Sequence, residues 1–223
     1  EEADEAGIPV VMFDRPAGKA DLNDAVIASD FYQQGVLAAE WLINTGDSLG
    51  LSSDDESVNV LILHGGFEIG LDQSDKRYQG FVDTLASADR FVIAEELDGG
   101  FYFEQAQSVV AELLAQGKQI DVVFACNDSM ALGAAASIEA AGKKPGEDII
   151  IIGVDASPAA IDLIGSGKMN CTIESERRLG ELFIKYVLDS VAGEKTVREI
   201  FPQEEAIDAS NLETADIWVE QLS

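Results

Sequence analysis

Short runs of consecutive apolar residues recur along this chain, and each is followed by a stretch in which the apolar residues have the spacing of one helix face. A strand that is apolar at every position has both faces covered, as in a parallel sheet wrapped by helices. The pattern therefore predicts an α/β fold with five strand–helix units in one doubly wound parallel sheet, in strand order 2-1-3-4-5. The five predicted strands span residues 58–63, 91–97, 122–126, 149–154 and 169–173.

Capping residues mark the ends of the predicted helices. Ser157 and Pro158 place a cap and a proline at the start of one helix, and Asp128 or Ser129 is expected to cap another. Residues 46–57, rich in Gly, Ser and Asp, are predicted to form a solvated loop, and a short acidic tail is predicted to finish the chain. The predicted helices span about 30–44, 72–87, 103–116, 130–141, 158–166 and 179–191.

The start of the sequence has the pattern of a helix end followed by a strand. Residues 1–6 form a predicted last helical turn closed by Gly7, and residues 8–13 follow as a buried strand of a different sheet. The sequence opens with no initiator Met, signal peptide or lipid-attachment Cys. We therefore expect further chain ahead of Glu1, which would supply most strands of that second sheet.

The sign of the net charge narrows the class of partner. The chain carries 42 Asp and Glu residues against 14 Lys and Arg residues, a formal net charge of −28. Such a surface repels phosphate backbones and anionic lipids, so we expect no nucleic-acid partner and no membrane-surface partner. The acidity is typical of a solvated coat for an extracellular or saline setting.

The two cysteines provide a geometric test of the predicted strand order. Cys126 lies on the third predicted strand and Cys171 on the fifth, with the fourth strand between them. Two strand spacings separate their Cα atoms by roughly 9 to 10 Å, whereas a disulfide needs Cα atoms within about 7 Å of each other. We therefore predict two free, buried thiols.

Polar and aromatic side chains follow the predicted strands at their carboxyl ends, where an open α/β sheet binds its ligands. Asp and Asn form paired hydrogen bonds with neighbouring hydroxyls, Arg donates from a rigid fork, and an aromatic ring covers the C–H face of a sugar. This mixture predicts a site for a neutral polyhydroxy ligand. The candidate ligand-binding residues are Asp14, Arg15, Arg77, Phe101, Asn127, Asp155 and Ser175.

Each of these residues also has a structural interpretation. A strand-end carboxylate such as Asp155 is often only the N-cap of the next helix. Phe101 has the alternative of packing in the core, and Arg15 and Arg77 that of forming surface charges on an acid-rich protein. The functional interpretation is favoured because the residues were selected only by their position after a strand and not by residue type. Polar groups nevertheless come together at one edge of the sheet.

Patterns for catalysis are missing from the same positions of the sequence. The strand-end residues include no metal cluster and no nucleophile–base pair, and His64, the only histidine, lacks a catalytic partner. The glycines from Gly65 to Gly70 resemble a phosphate loop, but Leu71 and Asp72 stand where a Lys and a Ser or Thr are needed. We therefore expect a binding protein and not an enzyme, with no cofactor and no metal.

Several segments, taken in order, are similar to one known family. The motif Asn127-Asp-Ser-Met-Ala-Leu-Gly133, followed by Gly153-Val-Asp155, is the more specific part, and Arg77-Tyr-Gln-Gly-Phe81 supports it. Together with the Asp14-Arg15 pair, these segments resemble the ribose-type periplasmic sugar-binding proteins, which are the type I solute-binding proteins of ABC transporters. The resemblance runs over nearly the whole chain.

The resemblance implies a periplasmic binding protein-like I fold with two α/β lobes joined by three crossings, near Ser29, Ser175 and Glu204. Residues 1–29 and 176–204 would be the remnant of an N-terminal lobe in a chain truncated at its N-terminus. Residues 30–175 and 205–223 would then form a nearly complete C-terminal lobe.

The resemblance also implies roles for the candidate residues. In the family, one position stacks on the sugar, and it matches Phe101. Ser175 stands where the family often has a Gln, and its side chain is shorter. The positions that hydrogen-bond the sugar match Asp14, Arg15, Arg77, Asn127 and Asp155.

The implied function is capture of a monosaccharide or related polyol and its delivery to an ABC-transporter permease by hinged closure of two lobes. The implied location is periplasmic or extracellular, including a cell-surface lipoprotein, and a truncated first lobe predicts self-association. The alternative is the ligand-sensing effector domain of a lactose-repressor-type transcriptional regulator, which shares the fold behind a DNA-binding headpiece. Residues 157–173 are more similar to the transporter group, and the acidity disfavours operator binding.

Overall fold

The computed structural model describes residues 2–8, 10–14, 25–51, 57–66, 72–175, 179–193 and 199–214 of the protein. Within these residues, strands alternate with helices over most of the chain. The strands are β1 Val11–Phe13, β2 Ala25–Ile27, β3 Val58–His64, β4 Phe91–Asp98, β5 Val122–Ala125, β6 Ile150–Asp155, β7 Cys171–Glu174, β8 Glu199–Ile200 and β9 Ala206–Asp208. The α-helices are α1 Glu2–Glu5, α2 Phe31–Thr45, α3 Asp72–Leu85, α4 Phe103–Ala115, α5 Asp128–Ala140, α6 Pro158–Gly165 and α7 Leu179–Val191.

The chain folds into two compact units. The small unit contains Glu1–Asp30 and Ser175–Glu204, and the large unit contains Phe31–Glu174 and Glu205–Ser223. The chain therefore passes between the units three times, at the ends of these segments.

A six-stranded sheet forms the centre of the large unit, in the order β4-β3-β5-β6-β7-β9. Its first five strands are parallel, which confirms the predicted order 2-1-3-4-5. The sixth strand, β9, runs antiparallel to β7 and pairs Ile207 with Thr172. The prediction of an acidic tail after α7 is wrong for β8 and β9. These strands are too short to show an apolar periodicity of their own, and it is pairing with the edge of an existing strand that makes such a segment a strand.

The central strands of this sheet are buried on both faces, as their apolar sequences predict. Every residue of β5 is buried, and β3 is buried except at Asn59. Strand β6 is likewise buried except at Asp155, its last residue. The polar groups at the carboxyl ends of these strands are therefore attached to a closely packed core.

Two glycines allow helices α2 and α3 to approach closely. A Cβ at Gly35 in α2 would overlap the backbone carbonyl oxygen of Arg77 in α3. A Cβ at Gly80 in α3 would overlap the backbone carbonyl oxygen of Tyr32 in α2. This close approach brings the polar side chain of Gln34 next to Arg77.

The small unit contains a separate parallel sheet in the order β1-β2-β8. The prediction that residues 8–13 belong to a different sheet is confirmed, but the strand is limited to Val11–Phe13 and is not buried as predicted, since two of its residues are half-buried and Phe13 is exposed. Strand β2 lies between the other two strands and pairs with both β1 and β8. Helix α7 has the predicted bounds and buries one residue, Leu179.

Three local expectations are corrected or limited by the structure. Asn127, and not Asp128 or Ser129, is the N-cap of α5, because its side chain accepts a hydrogen bond from the Met130 backbone N–H. Gly46–Leu49 form a 3₁₀ helix where a loop was predicted, and Gly46 is buried. Residues 52–56 of that loop, Arg15, and residues 215–223 lie outside the described part of the chain.

Both cysteines are free and buried, as the strand order predicted. Strand β6 lies between β5, which ends just before Cys126, and β7, which begins at Cys171. None of the described helices combines the length and the apolar character that a membrane span requires.

Candidate functional site

Arg77 is the most constrained of the candidate residues that the structure describes. It lies on α3 and is 5% exposed. Its Nε donates to Gln34 Oε1 (2.7 Å), its Nη1 to the Cys126 carbonyl (2.6 Å) and its Nη2 to Asp155 Oδ1 (3.3 Å). These bonds use three of the five N–H groups of a guanidinium. They fix its plane at the carboxyl ends of β5 and β6.

Gln34 is a site residue that the sequence analysis missed. It is completely buried on α2, accepts from Arg77 and donates through Nε2 to the Glu174 carbonyl (3.2 Å). The Phe31 ring covers the guanidinium of Arg77, 5.4 Å from its centroid. The sequence did contain a signal for this residue: Gln34 is a polar residue on the apolar face of α2. A buried amide needs a hydrogen-bond partner, so such a residue indicates a polar contact inside the fold.

Asp155 ends β6 in a strained backbone conformation. Its φ is 123°, and that of the next residue, Ala156, is 50°. Such conformations cost a residue with a side chain about 1–3 kcal/mol each, and they persist where surrounding groups hold them. The resulting turn places the Asp155 carboxylate, which is partly exposed, beside the Arg77 guanidinium.

Phe101 lies between the end of β4 and the start of α4. Its φ is 64°, and its ring occupies the space that a Cβ at Gly65 would need. The Phe101 carbonyl accepts a hydrogen bond from Asn127 Nδ2 (3.3 Å). The ring remains partly exposed. The small size of Gly65 therefore makes room for the Phe101 ring, and Gly65 was not among the predicted ligand-binding residues.

Asn127 combines a structural role with a position at the site. Its Oδ1 accepts from the Met130 N–H (3.0 Å) and caps α5, while its Nδ2 donates to Phe101. An amide has two N–H groups and two lone pairs on its oxygen, so these bonds use half of its capacity. The cap orients the side chain at the edge of the sheet.

A second carboxylate lies directly behind this edge. Asp128 is fully buried and accepts hydrogen bonds from the Thr172 hydroxyl and the Ser157 backbone N–H. Burial, reinforced by the charge of Asp155, raises the pKa of Asp128 to about 7, although both hydrogen bonds oppose the shift. Neither Asp128 nor Thr172 was predicted to belong to the site.

His64, at the end of β3, is buried near the same edge. Its ring lies 4.6 Å from that of Tyr78, and its Nε2 lies 3.7 Å from Glu96 Oε2. Burial lowers the pKa of His64, although nearby carboxylates, chiefly Glu96, oppose the shift. The described residues contain no group of three or more His, Cys, Asp or Glu side chains that could hold a metal ion.

The structure brings four of the seven predicted residues together in the large unit. Arg77 contacts Asp155, Asn127 contacts Phe101, and Arg77 also binds the carbonyl of Cys126, the neighbour of Asn127. They come from four consecutive strand–helix units: Arg77 lies on α3, whereas Phe101, Asn127 and Asp155 lie at or shortly after the ends of β4, β5 and β6.

The small unit contains two further predicted residues. Asp14 follows β1 with a φ of 68°, and its N–H donates to the Ile27 carbonyl (2.9 Å). Ser175 Oγ lies 3.3 Å from Ser29 Oγ, which donates to Glu204 Oε1 (2.5 Å). The Ser175 hydroxyl thus belongs to a hydrogen-bonded cluster at the ends of the small unit's segments.

A doubly wound α/β sheet with polar groups and an aromatic ring at its carboxyl edge defines a class of small-ligand-binding domains. Comparison with known families identifies the class. Residues 1–195 match the family described as the periplasmic binding protein domain, and the chain belongs to this family.

Two curated relatives are binding proteins by name. The chain is 29% identical to the galactofuranose-binding protein YtfQ of Escherichia coli (strain K12) over 178 residues, covering 78% of this chain and 53% of that protein. It is 30% identical to the ribose import binding protein RbsB of Salmonella typhimurium over 171 residues, covering 77% of this chain and 53% of that protein. The chain thus spans about half the length of these relatives.

A solved structure extends the similarity to three dimensions. A protein from Mycobacterium smegmatis in complex with β-D-fucofuranose matches with a TM-score of 0.84 and 33% identity, covering 96% of this chain and 69% of that one. The HTH-type transcriptional repressor PurR of Histophilus somni is also similar, 28% identical over 200 residues, covering 88% of this chain and 55% of that protein.

Proposed function

We propose that the protein binds a monosaccharide or related polyol as the solute-binding component of an ABC transporter. The observation that carries the proposal is the convergence of Arg77, Phe101, Asn127 and Asp155 from four consecutive strand–helix units. The names of the relatives, a galactofuranose-binding protein and a ribose import binding protein, support the same class of ligand.

The four side chains offer complementary interactions to a polyhydroxy ring. Arg77 has two N–H groups beyond its three protein bonds, and the Asp155 carboxylate accepts hydrogen bonds from hydroxyls. Asn127 retains one donor and one acceptor, and the Phe101 ring can stack on sugar C–H groups. The charges of Arg77 and Asp155 compensate each other, which favours a neutral ligand.

For the whole protein, we propose ligand capture by hinged closure of two lobes. Residues 1–29 and 176–204 would belong to the N-terminal lobe and residues 30–175 and 205–223 to the C-terminal lobe. Asp14 and Arg15 would contribute from the N-terminal lobe, and Ser175 from the crossing between the lobes. The partner would be an ABC-transporter permease, the location periplasmic or extracellular, and the role binding and not catalysis.

Calorimetric titration of the purified full-length protein tests this function. The panel is D-ribose, D-galactose, D-fucose, L-arabinose, D-allose and myo-inositol, with NaCl and glycine as non-sugar controls. We expect binding of at least one panel member and a loss of roughly tenfold or more in affinity for Arg77→Lys, because an ammonium cannot reproduce the guanidinium fork. Absence of heat with every sugar and polyol would refute the proposal.

Arg90→Lys is the matched control for Arg77→Lys. Arg90 also pairs with a carboxylate, that of Asp47, and its guanidinium also lies near an aromatic ring, that of Phe91. It precedes β4, at the amino end of the sheet, so its substitution should leave sugar affinity unchanged. An equal loss of affinity in both variants would show that the Arg77 effect is not local to the site.

The alternative function is that of a ligand-sensing effector domain of a lactose-repressor-type regulator. The similarity to the repressor PurR favours it. The gene sequence encoding the region ahead of Glu1 discriminates between them. A secretion signal supports the transporter function, whereas a helix-turn-helix segment supports the regulator.

Self-association is a further proposal for this chain. Ile184, Leu188 and Val191 recur at helical spacing on α7 and are 57%, 63% and 71% exposed. A second copy that covers this apolar stripe would remove it from water. Sedimentation velocity should show a concentration-dependent dimer that Leu188→Lys abolishes; a monomer at high concentration in the unsubstituted chain would contradict the proposal.

A further inference from the structure

The buried carboxylate of Asp128 contacts the turn that follows β6. Its Oδ2 accepts a hydrogen bond from the Ser157 backbone N–H (2.7 Å), and its Oδ1 accepts one from the Thr172 hydroxyl (2.7 Å). The Thr172 hydroxyl in turn accepts from the Ala156 backbone N–H (3.1 Å). Asp128 and Thr172 thus bind the two consecutive N–H groups that come directly after Asp155.

Gly153 leaves the space that this carboxylate occupies. A Cβ at residue 153 would overlap Asp128 Oδ1 and lie 2.7 Å from the methyl group of Met169. The backbone of Gly153 is not among those with positive φ, so its conformation does not require a glycine. The glycine is therefore explained by the position of the Asp128 carboxylate against β6.

We propose that Asp128 is a positioning residue for the ligand site, which holds the turn from Asp155 to Ser157 so that the Asp155 carboxylate faces Arg77. The proposal rests on the proposed function, because it takes the Asp155 carboxylate as a ligand contact. Two consecutive non-glycine residues with positive φ form this turn, and such a conformation needs surrounding groups to hold it. The hydrogen bonds to Ser157 and Ala156 are such groups.

Protonation of Asp128 would weaken this arrangement. An ionised carboxylate accepts at both oxygens, whereas a protonated oxygen becomes a donor. A proton on Oδ2 would oppose the Ser157 N–H, and a proton on Oδ1 would force the Thr172 hydroxyl to turn. Because burial raises the pKa of Asp128 to about 7, sugar affinity should fall as the pH falls through neutrality.

The titratable and charged groups around Asp128 come from β6, β7 and α3. Asp155 at the end of β6 acts on Asp128 through its charge, and Arg77 of α3 contacts Asp155. The thiol of Cys171 on β7 stays protonated near neutrality, because burial, with the charges of Asp208 and Asp128, raises its pKa. His64 is the only histidine and therefore the control for any titration near pH 7.

The first test needs no sugar. In amide NMR spectra of the protein, the Ser157 N–H resonance should shift with a midpoint near pH 7, and this titration should be absent in Asp128→Asn. The titration should persist in His64→Gln. A Ser157 resonance that does not titrate, or one that still titrates in Asp128→Asn, would overturn the proposal even if no sugar binds.

The second test measures sugar affinity against pH. Calorimetry with L-arabinose, D-galactose and D-ribose from pH 5.5 to 8.5 should show affinity falling by about tenfold toward acid, the scale of a lost hydrogen bond to a charged group. Asp128→Asn should bind with the low affinity at every pH, and His64→Gln should keep the full pH dependence. If Asp128→Asn keeps the pH dependence and His64→Gln loses it, the titrating group is His64. Silence with all three sugars would count against the proposed function and leave the amide titration to decide the role of Asp128.

The third test separates positioning from general packing. Thr172→Val removes the hydroxyl that links Asp128 to Ala156 and should weaken sugar binding about tenfold. Thr172→Ser restores the hydroxyl, although it loses the methyl group, and should recover the affinity. A Ser variant that binds as weakly as the Val variant would contradict the role of the hydroxyl.

Discussion

The large and small units use the same strand–helix pattern but bury it to different extents. Every residue of β5 is buried, whereas β1 has two half-buried residues and one exposed residue. Helix α5 buries eight residues, and α7, of equal length, buries one. An apolar pattern therefore specifies the element, but burial also requires a neighbour on each face.

The same contrast separates the candidate site residues. Arg77, Asn127 and Asp155 are attached to buried strands or make several hydrogen bonds each. Asp14 follows β1, whose last residue, Phe13, is 48% exposed. The more closely packed part of the candidate site thus lies in the large unit.

Truncation of one apolar side chain in each unit should give the largest difference. Phe124 on β5 is completely buried, and its ring stacks on that of Phe81 with centroids 4.0 Å apart. Phe124→Ala should lower the free energy of unfolding by about 3–5 kcal/mol. Ile184→Ala on α7, measured at a concentration at which the protein is monomeric, should change it by less than about 0.5 kcal/mol, because the side chain is then largely in water.

Urea unfolding followed by far-UV circular dichroism measures both changes. A loss for Ile184→Ala comparable to that for Phe124→Ala would break the comparison, since it would mean that another surface covers α7 in solution. Sedimentation of the same samples would then identify a second copy as the cover or exclude it.

Two matched glycine substitutions, one in each unit, should change the free energy of unfolding by smaller amounts and in opposite directions. Gly35→Ala forces a methyl group onto the Arg77 carbonyl and should cost about 1–3 kcal/mol of unfolding free energy. Gly180→Ala on α7 meets nothing within 4 Å and should stabilise its helix, by at most about 1 kcal/mol. Thermal unfolding of the two variants measures both signs. Destabilisation by both substitutions would show that α7 is closely packed in solution, which would contradict the difference in burial between the two units.

The sheet of the large unit could be predicted because its signals are local. Consecutive apolar residues mark β3, β5 and β6, and the order of parallel units then follows from general rules. Strand β9 could not be predicted, because only Ile207 of its three residues is buried and its pairing with β7 comes from the fold.

The candidate site was partly predictable for the same reason. Asp155 and Asn127 follow strands, so position alone pointed to them. Three consecutive capping residues begin at Asn127, and local sequence could not decide which one caps α5. Gln34 comes to Arg77 only through the close packing of α2 on α3, which depends on Gly35 and Gly80.

The smallest predicted effect concerns the pH dependence of stability in the large unit. Because the pKa of Asp128 is about 7 when folded and 3.8 ordinarily, its protonated form stabilises the fold below pH 3.8, and this contribution is lost as the pH rises through 7. Between pH 6 and 8 the loss should be about 1 kcal/mol. Urea midpoints should therefore fall toward pH 8 in the unsubstituted protein and fall less in Asp128→Asn.

This direction is opposite to the one expected for sugar affinity, which should rise with pH as Asp128 ionises. A residue that served only packing would lower stability and affinity together when substituted. Asp128→Asn should instead unfold at an equal or higher urea concentration at pH 8 while binding sugar more weakly, because it removes a buried charge and one fixed acceptor of the turn. Parallel loss of both properties at pH 8 would show that Asp128 belongs to the core of the large unit and not to its site.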